Sequence, residues 1–282
     1  MIGLSTTAYY GQKRKVRSEA KEKADADLSS KIEDLQNEYS CWGYRTIKVN
    51  LKKHLNLQVN AKKILRVMRK FGLFHKIKRH FVNTTDSNHG FKVYPNLLKG
   101  KTVNGINQAW VSDITYIRIL TGFVFLAVII DLYSRRVVGW AISRHINHEL
   151  TVAALQMAIE ARKPGPGLIH HSDRGVQYAC QEYVSALQKN KIEISMSAKG
   201  NPYDNAFAES FFKTLKKEEV YLWEYVSFAD VIERIPQFIE EVYNCKRVHS
   251  GIEYLTPQEF EDILQDKEKR NTLGQATLNL VV

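Results

Sequence analysis

Three acidic residues stand where acids are either unfavourable or well placed for chemistry, each in a different kind of segment. Asp113 lies in AWVSDITYIRI, a run rich in Trp, Val, Ile and Tyr. Side chains alternate along a strand, so Asp113 shares a face with Val111, Thr115 and Ile117. A carboxylate there costs free energy unless it is paired or bound to a metal. Asp173, in LIHHSDRGVQY, follows the end of a short apolar strand, the place where α/β sheets put ligand-binding residues. Glu209 comes in the first turns of a helix that follows the turn-rich loop SMSAKGNPYDNA. At 100° per residue Phe207, Phe211 and Leu215 fall within about 80° of that helix, and Glu209, Lys213 and Lys216 within about 60° on the other side.

Taken alone, Glu209 reads as a solvated acid with an i,i+4 partner in Lys213. Three acids from three elements favour another reading: a carboxylate cluster suited to divalent, oxygen-ligand cations such as Mg²⁺. Two such ions about 4 Å apart can activate an attacking oxygen and stabilise a leaving one in phosphodiester chemistry. Lys213 and Lys216 would then hold phosphates beside the metals. Asp131 and Asp204 compete for the same role but fit turn or capping positions as well.

Several elements must position these acids. Residues 108–119, 122–131 and 136–142 read as three strands joined by tight turns, and the middle one, FVFLAVII, is apolar on both faces and therefore central. A helix over 149–161, a strand GLIHH, a helix over 178–189 and a strand IEISM follow. This order implies an α/β arrangement with helices on a mixed sheet. Two further helices are expected over 205–222 and 227–244.

Ahead of them, Leu28, Ile32, Leu35 and Tyr39, then Tyr44, Ile47, Leu51 and Leu55, recur at helical spacing. A third helix begins after the N-cap candidate Asn60 and stops at Gly72, with Ile64, Leu65, Met68 and Phe71 on one side. Three short helices, the last basic, suggest a small all-α, helix-turn-helix-like module on DNA. Between the two parts, 81–104 has the turn formers and mixed polarity of a linker.

The chain's net charge of +11 is unevenly spread. Residues 1–100 hold 21 Lys or Arg against 8 acids, and the remainder 20 against 22. Within 41–80 there are 12 basic residues and no acid, a block that attracts a polyanion and releases its counterions. Arg45, Lys62, Lys63, Arg66, Arg69 and Lys70 are the expected DNA contacts there. Cys41, Cys180 and Cys245 are far apart and without CxxC spacing, so neither a disulfide framework nor a zinc ribbon is expected. No apolar run is long enough for a membrane span, and the N-terminus lacks signal-peptide order; a cytoplasmic or nucleoid-associated protein is expected.

The motifs WVSDITYI, IIDLYSRRVVGWAIS, HHSDRGVQY and SMSAKGNPYDNAFAESFFKTLKKE closely resemble the DDE catalytic core of bacterial insertion-sequence transposases related to retroviral integrases. Between Asp173 and Glu209 lie 35 residues, the spacing this family shows between its second aspartate and its glutamate. Asp113 matches the first aspartate, and Lys216 the position of a basic residue that contacts element-end DNA. EYSCWGYRTIKVNL and VNAKKILRVMRKFGLF resemble the helix-turn-helix module ahead of that core, YNCKRVHSGIEYLTPQEF its closing segment, and MIGLSTTAYYG the start of the second reading frame (OrfB) of two-frame elements.

The resemblance implies an RNase H-like core in which Asp113, Asp173 and Glu209 are the catalytic, metal-holding acids for two Mg²⁺ or Mn²⁺ ions. It implies hydrolysis and strand transfer on double-stranded DNA, at the element's inverted repeats and in target DNA, by a homo-oligomer. It also implies a need for the first-frame (OrfA) domain as fusion or partner. The N-terminus has no HHCC pattern, so a zinc-stabilised N-domain is not expected. The expected divisions are an N-terminal arm (1–27), the helix-turn-helix-like domain (28–80), the linker (81–104), the core (105–222), a helical extension (223–268) and a tail (269–282). An RNase H-like nuclease without strand transfer, and a non-catalytic DNA-binding regulator, are the competing readings; intact acids speak against the regulator.

Overall fold

A computed structural model describes residues 6–38, 42–74, 90–197, 205–266 and 280–281. Residues 81–89 of the expected linker, the loop 198–204 with Asp204, and most of the tail lie outside them. The chain divides into two compact units, residues 1–78 and 79–282.

The described residues of the first unit form three helices: α1 (Thr6–Glu38), α2 (Tyr44–Leu55) and α3 (Ala61–Lys70). Their shared core is Leu28, Ile32, Trp42, Ile47, Leu51, Ile64, Val67 and Met68. Asn60 caps α3 as expected, its side chain accepting from the Lys62 N–H. Two expectations are corrected. Val67, rather than Leu65 or Phe71, completes the inner face of α3, and Phe71 is exposed. Helix α1 reaches back to Thr6 instead of starting near Leu28: SEAKEKADAD has no apolar stripe to reveal a helix, but it is built largely from strong helix formers.

The second unit opens with a segment that is tied to the core rather than free. The Leu97 N–H donates to Ser195 Oγ at 2.9 Å and Leu98 is buried. Strand β1 (Thr102–Val103) pairs with β7 (Leu280–Val281), so the end of the tail is paired as well. The strands β2 (Ala109–Ile119), β3 (Gly122–Asp131) and β4 (Val137–Ser143) form an antiparallel meander. Helix α4 (His148–Arg162) leads to β5 (Ile169–Ser172), the short α5 (Val176–Ala179), α6 (Gln181–Lys189) and β6 (Glu193–Met196). The sheet order is β4-β3-β2-β5-β6, with β5 and β6 parallel to β2 and to each other. This is the mixed α/β sheet expected from the sequence.

Alternation along the strands splits the core in two. Val111, Ile117, Val124, Leu126, Val128 and Ile130 face α7 (Ala206–Leu215) and α8 (Phe228–Gln237). Trp110, Ile114, Ala127, Ile129 and Val138 face α4, α5 and α6. Neither late helix runs as far as expected in α form. A π-helical turn, Lys216–Val220, follows α7, and another, Phe238–Tyr243, follows α8 just after Pro236, which cannot donate to the helical ladder. Helix α9 (Pro257–Gln265) is joined to the end of α4 by the buried Glu261, which takes both guanidinium nitrogens of Arg162 at 2.7 and 2.8 Å.

Two contacts set the outer edge of the sheet. The Asn244 side chain receives the Val137 N–H and donates to its carbonyl, both at 3.0 Å, as a neighbouring strand would. Gly139 lets α4 lie directly on β4, because a Cβ there would collide with the Ala154 carbonyl and stand 2.7 Å from the Ala158 Cβ. Gly139→Ala is therefore expected to destabilise the second unit by about 1–3 kcal/mol, seen as a lower denaturant midpoint with unchanged slope.

Candidate active site and nucleic-acid interface

Two of the acids come level where two strands part. Strand β5 pairs with β2 only from Ala109↔Ile169 to Val111↔His171, and beyond that β2 continues without this neighbour. Continuing the register places Asp113 level with Asp173, just past the last residue of β5. Such a crevice, at the carboxyl end of a parallel strand, is where open α/β sheets bind ligands. Asp113 lies on the face covered by α7, pairing across to Val128 on β3, and α7 carries Glu209. Asp173 is seated by the start of α5: its Oδ1 accepts from the Gly175 N–H at 2.9 Å, and a Cβ on Gly175 would meet that same oxygen at 2.9 Å.

The electrostatics link all three. Burial pushes the Asp113 carboxyl up to about 8, and the negative charges of Asp173 and, more weakly, Glu209 push the same way. The Ile114 N–H, donating to Asp113 Oδ1 at 2.7 Å, and the Lys216 ammonium oppose the rise. Burial in turn lowers the pKa of Lys216, against the pull of Asp113. Its Nζ lies 4.3 Å from the centroid of the Tyr116 ring, a cation–π contact that holds the ammonium near the acids. Glu209 is on the half-exposed side of α7, with Oε2 3.6 Å from Lys213 Nζ. The simple i,i+4 pair thus exists alongside the cluster.

Among the described residues no three His, Cys, Asp or Glu side chains are drawn together closely enough to enclose an ion. The carboxyls share a field rather than a closed cage. The donor set still fits a hard divalent cation, since such ions take carboxylate oxygens and would relieve the repulsion that raises Asp113. Asp131, the competing acid, is fully engaged elsewhere: it accepts the N–H groups of Asn107, Tyr133 and Ser134 at 2.6, 2.9 and 3.0 Å and organises the turn after β3.

An integrase core domain matches residues 104–202, a second integrase core domain description matches 190–257, and an HTH-like domain matches 22–81. The transposase of insertion element IS904 from Lactococcus lactis is 36% identical over 83% of this chain and 93% of its own length. The chain belongs to the insertion-sequence transposases. Transposase InsF of IS3 from Escherichia coli is 40% identical over 72% of this chain and 71% of its own. Among solved structures, the HTLV-2 integrase catalytic core in complex with magnesium shows 18% identity and a TM-score of 0.41, over 54% of this chain and 94% of that one. By its integrase core match and its transposase relatives, the chain is a DNA-acting polynucleotidyl transferase in which an HTH-like domain precedes an integrase core in the sequence.

In that HTH-like domain Arg45, Lys62, Lys63, Arg66, Arg69 and Lys70 are all exposed. On α3 the five basic residues span about 120° of the helix, opposite Ile64, Val67 and Met68. Arg66, at the middle of this arc, is engaged within the domain. Its Nη1 and Nη2 donate to Oδ2 and Oδ1 of the buried Asp25 on α1, both at 2.7 Å. That bidentate pair holds the Asp25 carboxyl below the usual range, with Lys70 and Lys63 assisting against burial. A depressed folded-state pKa contributes stability above the unfolded value near 3.9, lost as pH falls through the folded value. Asp25→Asn is accordingly expected to speed hydrogen exchange in α1 at pH 7, with the difference from the parent protein shrinking as the pH is lowered below about 4.

Sequence reading missed Tyr116 and Gly175. Strict alternation puts Tyr116 on the face opposite Asp113, and only the position of Lys216, 100 residues later, gives its ring a role. Gly175 had a signal, since Asp followed two residues later by Gly at a strand end marks a turn in which the acid caps the next backbone N–H.

Proposed function

We propose that the transposase cuts and joins DNA through Asp113, Asp173 and Glu209 acting as one divalent-cation site for two Mg²⁺ or Mn²⁺ ions. When bound, the ions supply charge neutralisation at the phosphate and activation of the attacking oxygen. The chain's own residues do the positioning. Asp113 on β2 and Asp173, just past the end of β5, fix one side of the site, and Glu209 on α7 closes it. Lys216, held over Tyr116, and Lys213 place positive charge next to the acids, where a DNA phosphate would lie. The observation that carries this reading is the placement of Asp113 level with Asp173 where β2 and β5 part, with α7, the helix of Glu209, packed on the same face of β2.

Arg45, Lys62, Lys63, Arg69 and Lys70 supply the sequence-independent grip on duplex DNA, at the element's terminal inverted repeats and at the target. Arg66 acts mainly by fixing α1 against α3. The helix-turn-helix-like part (28–80) and the core (105–222) with its extension (223–268) are taken as the functional divisions, with 1–27, 81–104 and 269–282 as arm, linker and tail. Joining is assigned to a homo-oligomer on DNA, with the first-frame (OrfA) domain as fusion or partner and with the nucleoid as its place of action.

The test is incubation of the chain, alone and fused to the first-frame domain, with labelled element-end duplex and Mg²⁺. Joined products that disappear in Asp173→Ala support the reading. Ends that are cut and never joined would make the protein a nuclease, and binding without any Asp173-dependent product would refute the site.

A further inference from the structure

Helix α7 delivers Glu209, yet its first turn is not fixed in the usual way. The N-cap residue Asn205 makes no side-chain capping bond, and its buried Oδ1 has no partner. What holds the turn is packing from behind. Arg135, in the turn between β3 and β4, places its Cζ 3.8 Å from the centroid of the Phe207 ring, two residues before Glu209. The arrangement is unfavourable in isolation. Arg135 has φ of 65°, a left-handed conformation that non-glycine residues seldom adopt. Its Nε is buried without a hydrogen-bond partner, and burial lowers its pKa to about 10 against the opposing effects of Tyr243 and Asp131.

The closing segment of the core completes the enclosure. A Cβ on Gly251 would come within 3.5 Å of Arg135 Nη2. The Tyr243 ring meets Phe211 edge-on at 4.8 Å and His249 at 4.7 Å, and Arg247 donates to Glu218 at 2.9 and 3.1 Å. Phe207 and Phe211, one turn apart on α7, are thus gripped by Arg135 and by Tyr243. A buried cation with an open donor is a costly way to fill space. A planar guanidinium against a ring, however, fixes orientation in a way that an aliphatic side chain does not.

We propose that Arg135 is a positioning residue for the cutting and joining reaction: through its contact with Phe207 it sets the depth and roll of α7, and so the reach of the Glu209 carboxylate into the site. The proposal rests on the assignment of Glu209 given above. It also explains why SRR in the β3–β4 turn and YNCKRVHSG near the end of the core belong to one device.

The test measures cleavage of element-end duplex against Mg²⁺ concentration in Arg135→Gln, Arg135→Lys, Phe207→Leu and the Gln/Leu double variant, with DNA affinity and Tm alongside. Both Gln and Leu singles are expected to raise the Mg²⁺ concentration for half-maximal cleavage about tenfold, with the rate at saturating Mg²⁺ within about threefold of the parent. The double variant should be no worse than the poorer single, because both remove one contact. Arg135→Lys, which keeps the charge and loses the plane, should not restore the parent value, and Phe207→Trp should retain it. An unchanged Mg²⁺ midpoint despite a lowered Tm, or additive shifts in the double variant, would overturn the proposal. If Arg135→Gln does not fold, Arg135→Lys and Phe207→Trp give the same comparison. Failure of the underlying site reading is separate: it would show as full cleavage by Glu209→Gln.

Discussion

Glu209→Gln is expected to lower cutting and joining of element-end DNA by about 10³-fold or more, while DNA affinity stays within about threefold of the parent. The substitution keeps size and hydrogen-bonding capacity and removes only the charge. Glu209 is on the side of α7 away from the buried Phe211 and Leu215 and is itself half-exposed, so the fold should barely register the change. The i,i+4 pair with Lys213 is exposed and contributes only a few tenths of a kcal/mol. Gel-shift titration and product analysis on the same preparation separate the two quantities. Parallel loss of binding and chemistry would show that Glu209 acts on DNA contact instead.

Asp113→Asn should abolish the same chemistry and, in metal-free buffer, make the protein more stable. The folded-state pKa of Asp113 is about 8, against roughly 3.9 for an unfolded aspartate. Between those values the folded chain retains a proton that the unfolded chain has released, so metal-free stability falls as pH rises through this window. Asparagine removes that dependence. Allowing for relaxation and solvent near the site, the gain at pH 8 is on the order of 2 kcal/mol, or about 4–8 °C in Tm, and it vanishes below pH 4. Added Mg²⁺ should raise the Tm of the parent and not of the variant. A variant that is less stable than the parent at pH 8 would contradict the strained-acid account of the site.

The sheet was legible in the sequence because burial on two faces leaves a plain record. VFLAVII announces a central strand, and Asp113 is conspicuous only because alternation assigns it to an apolar face. Helix α1 was half legible. Its Leu28–Leu35 stretch packs on the core and shows the period, whereas 18–27 is polar all round and depends on propensity, which leaves no pattern. Asp131 was rightly held back as a turn residue, since three backbone donors take it. The long-range side-chain pairings were not legible. Lys216 finds Tyr116, Arg135 finds Phe207 and Asp25 finds Arg66 across gaps of 41 to 100 residues, and no local periodicity encodes such pairings. Arg66 shows the consequence: charge and helical position marked it as a DNA contact, but a single acid from a distant part of α1 had already engaged it.

The 3.6 Å pairing of Glu209 with Lys213 also has a thermodynamic meaning. On the assignment above, a carboxylate that turns towards an ion gives up its ammonium partner, and the ammonium is then free for phosphate. Ion and DNA occupancy become linked equilibria, each favouring the other by the same factor. Because the exchanged contact is exposed, that factor is small. The pair therefore couples the two ligands weakly and symmetrically without locking out either one, and a Lys213→Ala chain should lose this mutual dependence before it loses turnover.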